Sequence, residues 1–284
     1  MSKQGKHFGA NKVLKANGKI LNISTPVVMG IVNVTPDSFF KGSVHKGNHE
    51  VLKAVEKMIT DGASIIDIGA ESSRPGAKPI GIDMELQRLL PVLKLIRNTF
   101  PEIFISVDTY RSEVALAVSE IGADMINDIS AGELDRKMFK TVAETKLPYC
   151  MMHMQGAPEN MQKEPKYKNV VKEVRNYLKQ KMETAQEAGI KQIIIDPGFG
   201  FGKTLEHNYE LLNSLESFQK LKAPILVGVS RKGMIQKIIA QSAEDSLNGT
   251  SVVNTIALMK GASILRVHDV KEAMEAVKIF NQLK

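Results

Sequence analysis

Eight short, continuously apolar runs recur along the chain, at residues 27–32, 64–68, 103–107, 123–126, 148–152, 192–195, 225–229 and 263–267. They do not alternate polar with apolar. That is how strands buried on both faces of a parallel sheet read. The segments between them carry the helical period: within 50–62, Val51, Leu52, Val55, Met58 and Ile59 share one face. The helical stretches 111–122 and 167–189 both stop at a glycine, a natural end for a helix. Pro91 lies inside the helical stretch 83–98 and predicts a kink or a break there. Strand–helix alternation repeated eight times predicts an α/β fold, the (β/α)₈ TIM barrel. A doubly wound open sheet is the competing architecture, and the absence of a linker-like boundary favours closure. Ahead of the first unit, residues 12–24 hold two short apolar stretches around Asn17-Gly18, the dipeptide of a type I′ hairpin turn. The expected organisation is an N-terminal extension with a hairpin over residues 1–25, plugging the N-terminal end of a barrel domain over residues 26–284.

Composition narrows the class. A length of 284 residues suits one barrel with a short extension. Hydrophobic residues at 43% and charged residues at 24% exclude disordered and fibrous classes. No apolar run reaches the roughly 18 residues that a membrane-spanning helix needs, and Met1 to Lys19 lacks the apolar core of a secretory signal. The lone cysteine, Cys150, cannot form a disulfide within the chain, so a reducing cytoplasm is the expected compartment. The formal charge is +7, but the lysines are spread along the chain. Anionic small substrates explain that sign as well as nucleic acid does.

The polar residues at the ends of the eight runs carry the chemistry. In order they are Asn33, Asp67, Asp108, Asn127 with Asp128, His153, Asp196, Ser230-Arg231-Lys232, and Arg266 with His268. In a barrel these positions ring the C-terminal mouth, where active sites are built. One polar strand end is ordinary, whereas eight together point to a site. The segment 196–204, DPGFGFGKT, looks like a phosphate loop but fails both the Walker A and the dinucleotide spacing. It reads equally as a rigid turn or as a floor for a planar ligand, with Phe199 and Phe201 on it. Loops 33–43 and 71–81 are too long for plain connectors and read as lids. Ser230-Arg231-Lys232 and Arg266-Val267-His268 bring three cations and a histidine to one side of the mouth, an expected anion site. No second His or Cys stands near His153 at a metal spacing, so it reads as a packed or hydrogen-bonding residue, and Cys150 reads as inert core.

Taken together, NVTPDSF, IDIGAESSRPGA, SVDTYRSEVA, INDISAG, MMHMQG, DPGFGFGKT, VSRK and RVHDV resemble the dihydropteroate synthase family of folate biosynthesis, in order, from about Met29 to Val270. The resemblance implies a dimeric barrel that uses Mg²⁺. It also implies a transferase that joins p-aminobenzoate to 6-hydroxymethyl-7,8-dihydropterin pyrophosphate, giving 7,8-dihydropteroate and pyrophosphate. Carried over by motif, Asp108, Asn127, Asp196 and Lys232 hydrogen-bond the pterin, Met152 packs near it and Arg266 stacks on it; Asp108, Asp196 and Lys232 are the implied catalytic groups. Asn33, Arg74, Arg266 and His268 hold pyrophosphate, with Asn33 also on the metal. Phe39, Ser72, Ser73, Pro75, Phe201 and Ser230 shape the p-aminobenzoate pocket. The chain departs from the pattern at Ser73, where threonine is usual, after Phe39, where Asp-Gly-Gly is common, and at Gly233, where a larger residue is frequent.

The residues suit that chemistry. A pterin edge alternates donors and acceptors, which carboxylates and amides complement. An aniline nitrogen needs no base to become nucleophilic at neutral pH, and buried carboxylates stabilise positive charge on the carbon beside the pterin. Three alternatives stay open at this point. A folate-dependent methyltransferase domain shares the barrel, but it needs neither the Phe39 and Ser72–Pro75 loops nor the Arg266–His268 anion site. A Schiff-base aldolase would use Lys232, and a basic RNA-binding barrel would show steep salt dependence.

Overall fold

The computed structural model describes residues 12–35, 44–71, 79–156, 161, 164–240 and 242–283. A two-stranded antiparallel hairpin, β1 (Val13–Ala16) and β2 (Lys19–Asn22), precedes the repeats. The repeats are β3 (Val27–Asn33), α1 (Val44–Thr60), β4 (Ile65–Gly69), α2 (Ile82–Thr99), β5 (Phe104–Asp108), α3 (Ser112–Glu120), β6 (Met125–Asp128), α4 (Met138–Thr145), β7 (Tyr149–Met152), α5 (Val170–Glu187), β8 (Ile193–Asp196), α6 (Leu205–Asn213), β9 (Leu226–Val227), α7 (Gly233–Ile239), α8 (Leu247–Met259), β10 (Ile264–Val267) and α9 (Val270–Asn281). A 3₁₀ turn at Leu215–Leu221 lies between α6 and β9.

The eight strands of the repeats form one parallel sheet in the order β8-β7-β6-β5-β4-β3-β10-β9. The remaining seam closes through a single parallel bridge, Ile195 to Ile225, with the Ile195 N–H on the Pro224 carbonyl at 3.0 Å. The architecture is therefore the closed barrel rather than the open sheet. β4, β6, β7 and β8 are buried along their whole length, the physical reason their sequences are continuously apolar.

Register decides which side chains share the barrel interior. Gly69 pairs with Asp108, Asp108 with Asn127, Asn127 with Cys150, and Met152 with Asp196. Asp67 lies two residues before Gly69, so it points to the same side.

The hairpin turns at Asn17 and Gly18, both at positive φ, as a type I′ turn requires. It plugs the N-terminal end. Asn17 Nδ2 donates to the Ala123 carbonyl at 2.8 Å and to Asp124 Oδ1 at 3.0 Å, and Lys19 Nζ lies 2.8 Å from both Asp124 oxygens. Gln192 exchanges two hydrogen bonds with the Lys15 backbone, and Leu14 is fully buried.

Of the kink or break expected at Pro91, the break does not occur: α2 runs continuously through it. Pro91 and Gln87 both lie on the exposed face, where water takes the carbonyl that loses its helical donor. α1 starts at Val44, ahead of the first periodic residue. Among the described residues no helix is long and apolar enough to cross a membrane.

Candidate active site at the barrel mouth

Arg266, on β10, reaches across the interior. Its Nε donates to Asp67 Oδ2 at 2.7 Å and its guanidinium reaches Asp108 Oδ2 at 2.8 Å. Asn127 Nδ2 donates to the same Asp67 oxygen at 3.3 Å. The guanidinium plane is thus fixed by two carboxylates from neighbouring strands. Burial weakens the arginine's charge, but Asp67 and Asp108 outweigh it and hold the group above its ordinary value. Burial raises the Asp108 carboxyl; Arg266 pulls it down and the Asp67 charge pushes it up again. Asp67 Oδ1 and Ser106 Oγ, on adjacent strands, are buried without a partner.

Beside this group the 196–204 turn is rigid. Gly198 and Gly202 have φ of +72° and +61°. A Cβ at Gly198 would meet the His153 carbonyl at 1.9 Å, and one at Gly202 the Gln155 carbonyl at 2.3 Å, so only glycine fits either place. The Gly198 N–H donates to Asp196 Oδ1 at 2.7 Å. Burial raises Asp196, and Lys232 and that N–H pull it back. Phe199 is fully buried in the core, which removes it as a ligand floor. Its carbonyl accepts from Lys232 Nζ at 2.5 Å, and Lys232 also sits 4.6 Å from the centre of the Phe201 ring. Burial lowers Lys232 to about 8 although Asp196 supports its charge.

On the anion side, Ser230 Oγ lies 3.1 Å from His268 Nδ1 and accepts the His268 N–H at 3.2 Å. The expected trio of cations is not all there. Arg231 has a φ of +55° and turns away, giving Nε and NH2 to Asp269 at 2.9 and 2.7 Å. Its left-handed backbone sends Ser230 and Lys232 into the mouth and the arginine out of it. Asp269 is committed to Arg231, the ion pair that anchors the arginine outside the mouth.

Asn33 ends β3 half-buried. Met152 and Phe201 pack with Ile129, Met154, Met161 and Tyr110 into a small apolar cluster beside the polar ring. The structure therefore gathers Asn33, Asp108, Asn127, Met152, Asp196, Phe201, Ser230, Lys232, Arg266 and His268 at one mouth. Phe39, Ser72, Ser73, Arg74 and Pro75 lie outside the described residues. Cys150 is a buried core residue, its thiol raised by burial and by the Asp196 charge.

The model of the pterin binding enzyme family matches residues 29–268. The dihydropteroate synthase of Escherichia coli (strain K12) is 46% identical over 268 residues, 94% of each chain. The chain belongs to the dihydropteroate synthase family. Among other family members, that of Haemophilus influenzae is 42% identical over 269 residues, covering 94% of this chain and 97% of its own. Two solved dihydropteroate synthases share the fold. A Yersinia pestis enzyme in a sulfonamide drug complex has a TM-score of 0.89 at 39% identity, covering 95% of this chain and 98% of its own. A Xanthomonas albilineans enzyme with 4-aminobenzoic acid has a TM-score of 0.90 at 36% identity, covering 96% and 98%.

For a dihydropteroate synthase barrel, the sequence ranks Asp67 among the polar strand ends without giving it a role of its own, and the structure makes it a direct partner of Arg266. Lys203 was read only as a failed phosphate-loop lysine; it is 2% exposed, and its ammonium lies 3.0 Å from His153 Nδ1.

Proposed function

We propose that the chain joins p-aminobenzoate to 6-hydroxymethyl-7,8-dihydropterin pyrophosphate, forming 7,8-dihydropteroate and releasing pyrophosphate. The observation that carries this reading is the polar ring itself: Asp67, Asp108, Asn127, Asp196, Lys232 and Arg266 converge inside one barrel mouth with an apolar cluster beside them. Such a ring can match the alternating edge of a pterin through Asp108, Asn127, Asp196 and Lys232, with Met152 against the ring and the pinned Arg266 stacked on its face. The aniline nitrogen attacks the methylene carbon, the carbon–oxygen bond to pyrophosphate breaks and its electron pair leaves on the pyrophosphate, and the nitrogen then loses its proton to solvent. Asp108 and Asp196 stabilise the positive charge that grows on the carbon.

Asn33, Arg74, Arg266 and His268 are assigned to the pyrophosphate, and Phe39, Ser72, Ser73, Pro75, Phe201 and Ser230 to p-aminobenzoate. Mg²⁺ fits this donor set. Among the described residues no cluster of three acids, histidines or cysteines could cage a metal. An ion held by the Asn33 amide oxygen and by substrate oxygens matches the way Mg²⁺ usually binds phosphates. When bound, it neutralises charge on the leaving group.

The reading extends to assembly and place. Val252, Ile256 and Met259 form a stripe on α8, exposed at 52%, 37% and 66%, and Ile238 on neighbouring α7 is 60% exposed. A second copy of the chain covering that stripe makes a homodimer. The single reduced cysteine fits a cytoplasmic protein. The deciding experiment mixes protein, Mg²⁺, the pterin pyrophosphate and p-aminobenzoate and follows pyrophosphate and 7,8-dihydropteroate together. No product from folded protein overturns the proposal.

A further inference from the structure

Lys203 has an unusual setting for a lysine. Its Nζ donates to the carbonyls of Gly198 at 2.8 Å, Phe201 at 2.9 Å and His153 at 3.3 Å, and lies 3.0 Å from His153 Nδ1. All four acceptors are neutral. A buried ammonium without a direct carboxylate is costly unless a nearby field compensates it, and a neutral side chain could satisfy the same carbonyls.

The partners give the reason for a charge. His153 is held neutral, pushed down to about 2 by burial and by the Lys203 charge, so its Nδ1 can accept. Its ring packs edge-on against Tyr177 with centroids 4.8 Å apart, which fixes its direction. The Gly202 carbonyl, one residue from Lys203, accepts from Tyr167 at 2.8 Å, and the Phe199 carbonyl goes to Lys232. The hydrogen bonds of Lys203, Tyr167 and Lys232 all grip the turn that starts at Asp196.

We infer that Lys203 is a positioning residue of the active site: its buried ammonium locks the 196–204 turn onto His153 and, through Gly198, whose carbonyl takes the lysine and whose N–H donates to Asp196, sets a second positive charge close to that carboxylate. Lys232 supplies the first from the mouth side. The inference rests on the proposed reaction, in which Asp196 must stay ionised beside a carbon that gains positive charge.

The groups that face Asp196 are Lys232 from the β9–α7 loop, Arg266 from β10, Cys150 from β7, and the Gly198 N–H and Lys203 from its own turn. Lys203 in turn faces Asp196, Lys232 and His153. Burial lowers Lys203 to about 7 while Asp196 pulls it back up. Loss of Lys203 therefore lets the Asp196 carboxyl rise further, and the acid limb of kcat/KM for the pterin substrate moves to higher pH.

The test compares wild type, Lys203→Met and Lys203→Arg in pH profiles of product formation, with thermal melts alongside. Lys203→Met is expected to lose about ten-fold or more in kcat/KM near neutral pH and to shift its acid limb upward. Lys203→Arg, which keeps the charge, is expected to restore the limb. An unshifted limb and full kcat/KM in folded Lys203→Met overturn the inference while leaving the reaction intact. A wild type that forms no product overturns both. Should Lys203→Met fail to fold, His153→Leu decides the locking role: a lowered kcat/KM supports it and an unchanged one overturns it.

Discussion

Each end of the barrel buries a carboxylate, and the two ends treat theirs in opposite ways. At the N-terminal end both Asp124 oxygens are occupied, by Lys19, Arg97, the Asn17 amide and the Ile105 N–H. At the mouth, Asp67 keeps one oxygen without a partner, and Asp196 receives one backbone N–H with its lysines nearby. A satisfied buried charge contributes order. An unsatisfied one is destabilising by itself, and it persists in a fold that uses it. The contrast agrees with the general division of a barrel into a stabilising bottom and a reactive top.

That contrast can be broken by substitution. Asp124→Ala takes the acceptor from two half-buried cations, an amide and the buried Ile105 N–H and is expected to cost about 3 kcal/mol of stability, read by urea unfolding, with substrate KM values unchanged in the remaining folded protein. Asp196→Asn is expected to cost about 2–3 kcal/mol in transition-state terms while the melting temperature holds or rises. If Asp196→Asn instead melts early with normal turnover, the two ends do not differ as described.

Proton linkage sharpens the comparison. His153 is held down to about 2 in the fold, whereas an unfolded chain protonates it near 6.5. Its depressed value means that stability is complete above about pH 6.5 and falls as pH drops below it, by about 2 kcal/mol between 6.5 and 5. The stability difference between wild type and His153→Gln should change by that amount across the window. A difference flat in pH would mean that His153 takes up a proton as readily in the fold as in the unfolded chain. The smallest expected effect is at Ser73. Ser73→Ala should raise the KM for p-aminobenzoate a few-fold, in line with the roughly 1 kcal/mol of one hydrogen bond, without moving pterin affinity. Equal effects on both substrates would place Ser73 elsewhere.

Much of this was legible in the chain because burial writes itself into sequence. The apolar runs mark the strands closely, and β9, reduced to Leu226–Val227 from an expected 225–229, is the main shortfall. The polar strand ends gave the ring of site residues. What sequence could not show is pairing across the barrel. Arg266 and Asp67 stand 199 positions apart and meet only through register. The outward turn of Arg231 depends on one dihedral angle, which its side-chain chemistry does not announce. Lys203 and His153 are 50 positions apart on separate loops, and their contact depends on glycines that let two backbones touch.

The seam between β8 and β9 gives the pocket two unlike jaws. Asp67 and Asp108 stand on β4 and β5, in a stretch of wall where β3, β4 and β5 are laced by five register pairs at each junction. Asp196 and the Ser230–Lys232 corner flank the place where the wall is joined by one bridge. The first jaw takes its shape from the sheet itself. The second takes its shape from side chains, with the Lys232 ammonium on the Phe199 carbonyl tying the two sides of the seam together at 2.5 Å, so its outline belongs to those few residues and can be altered without disturbing the strands.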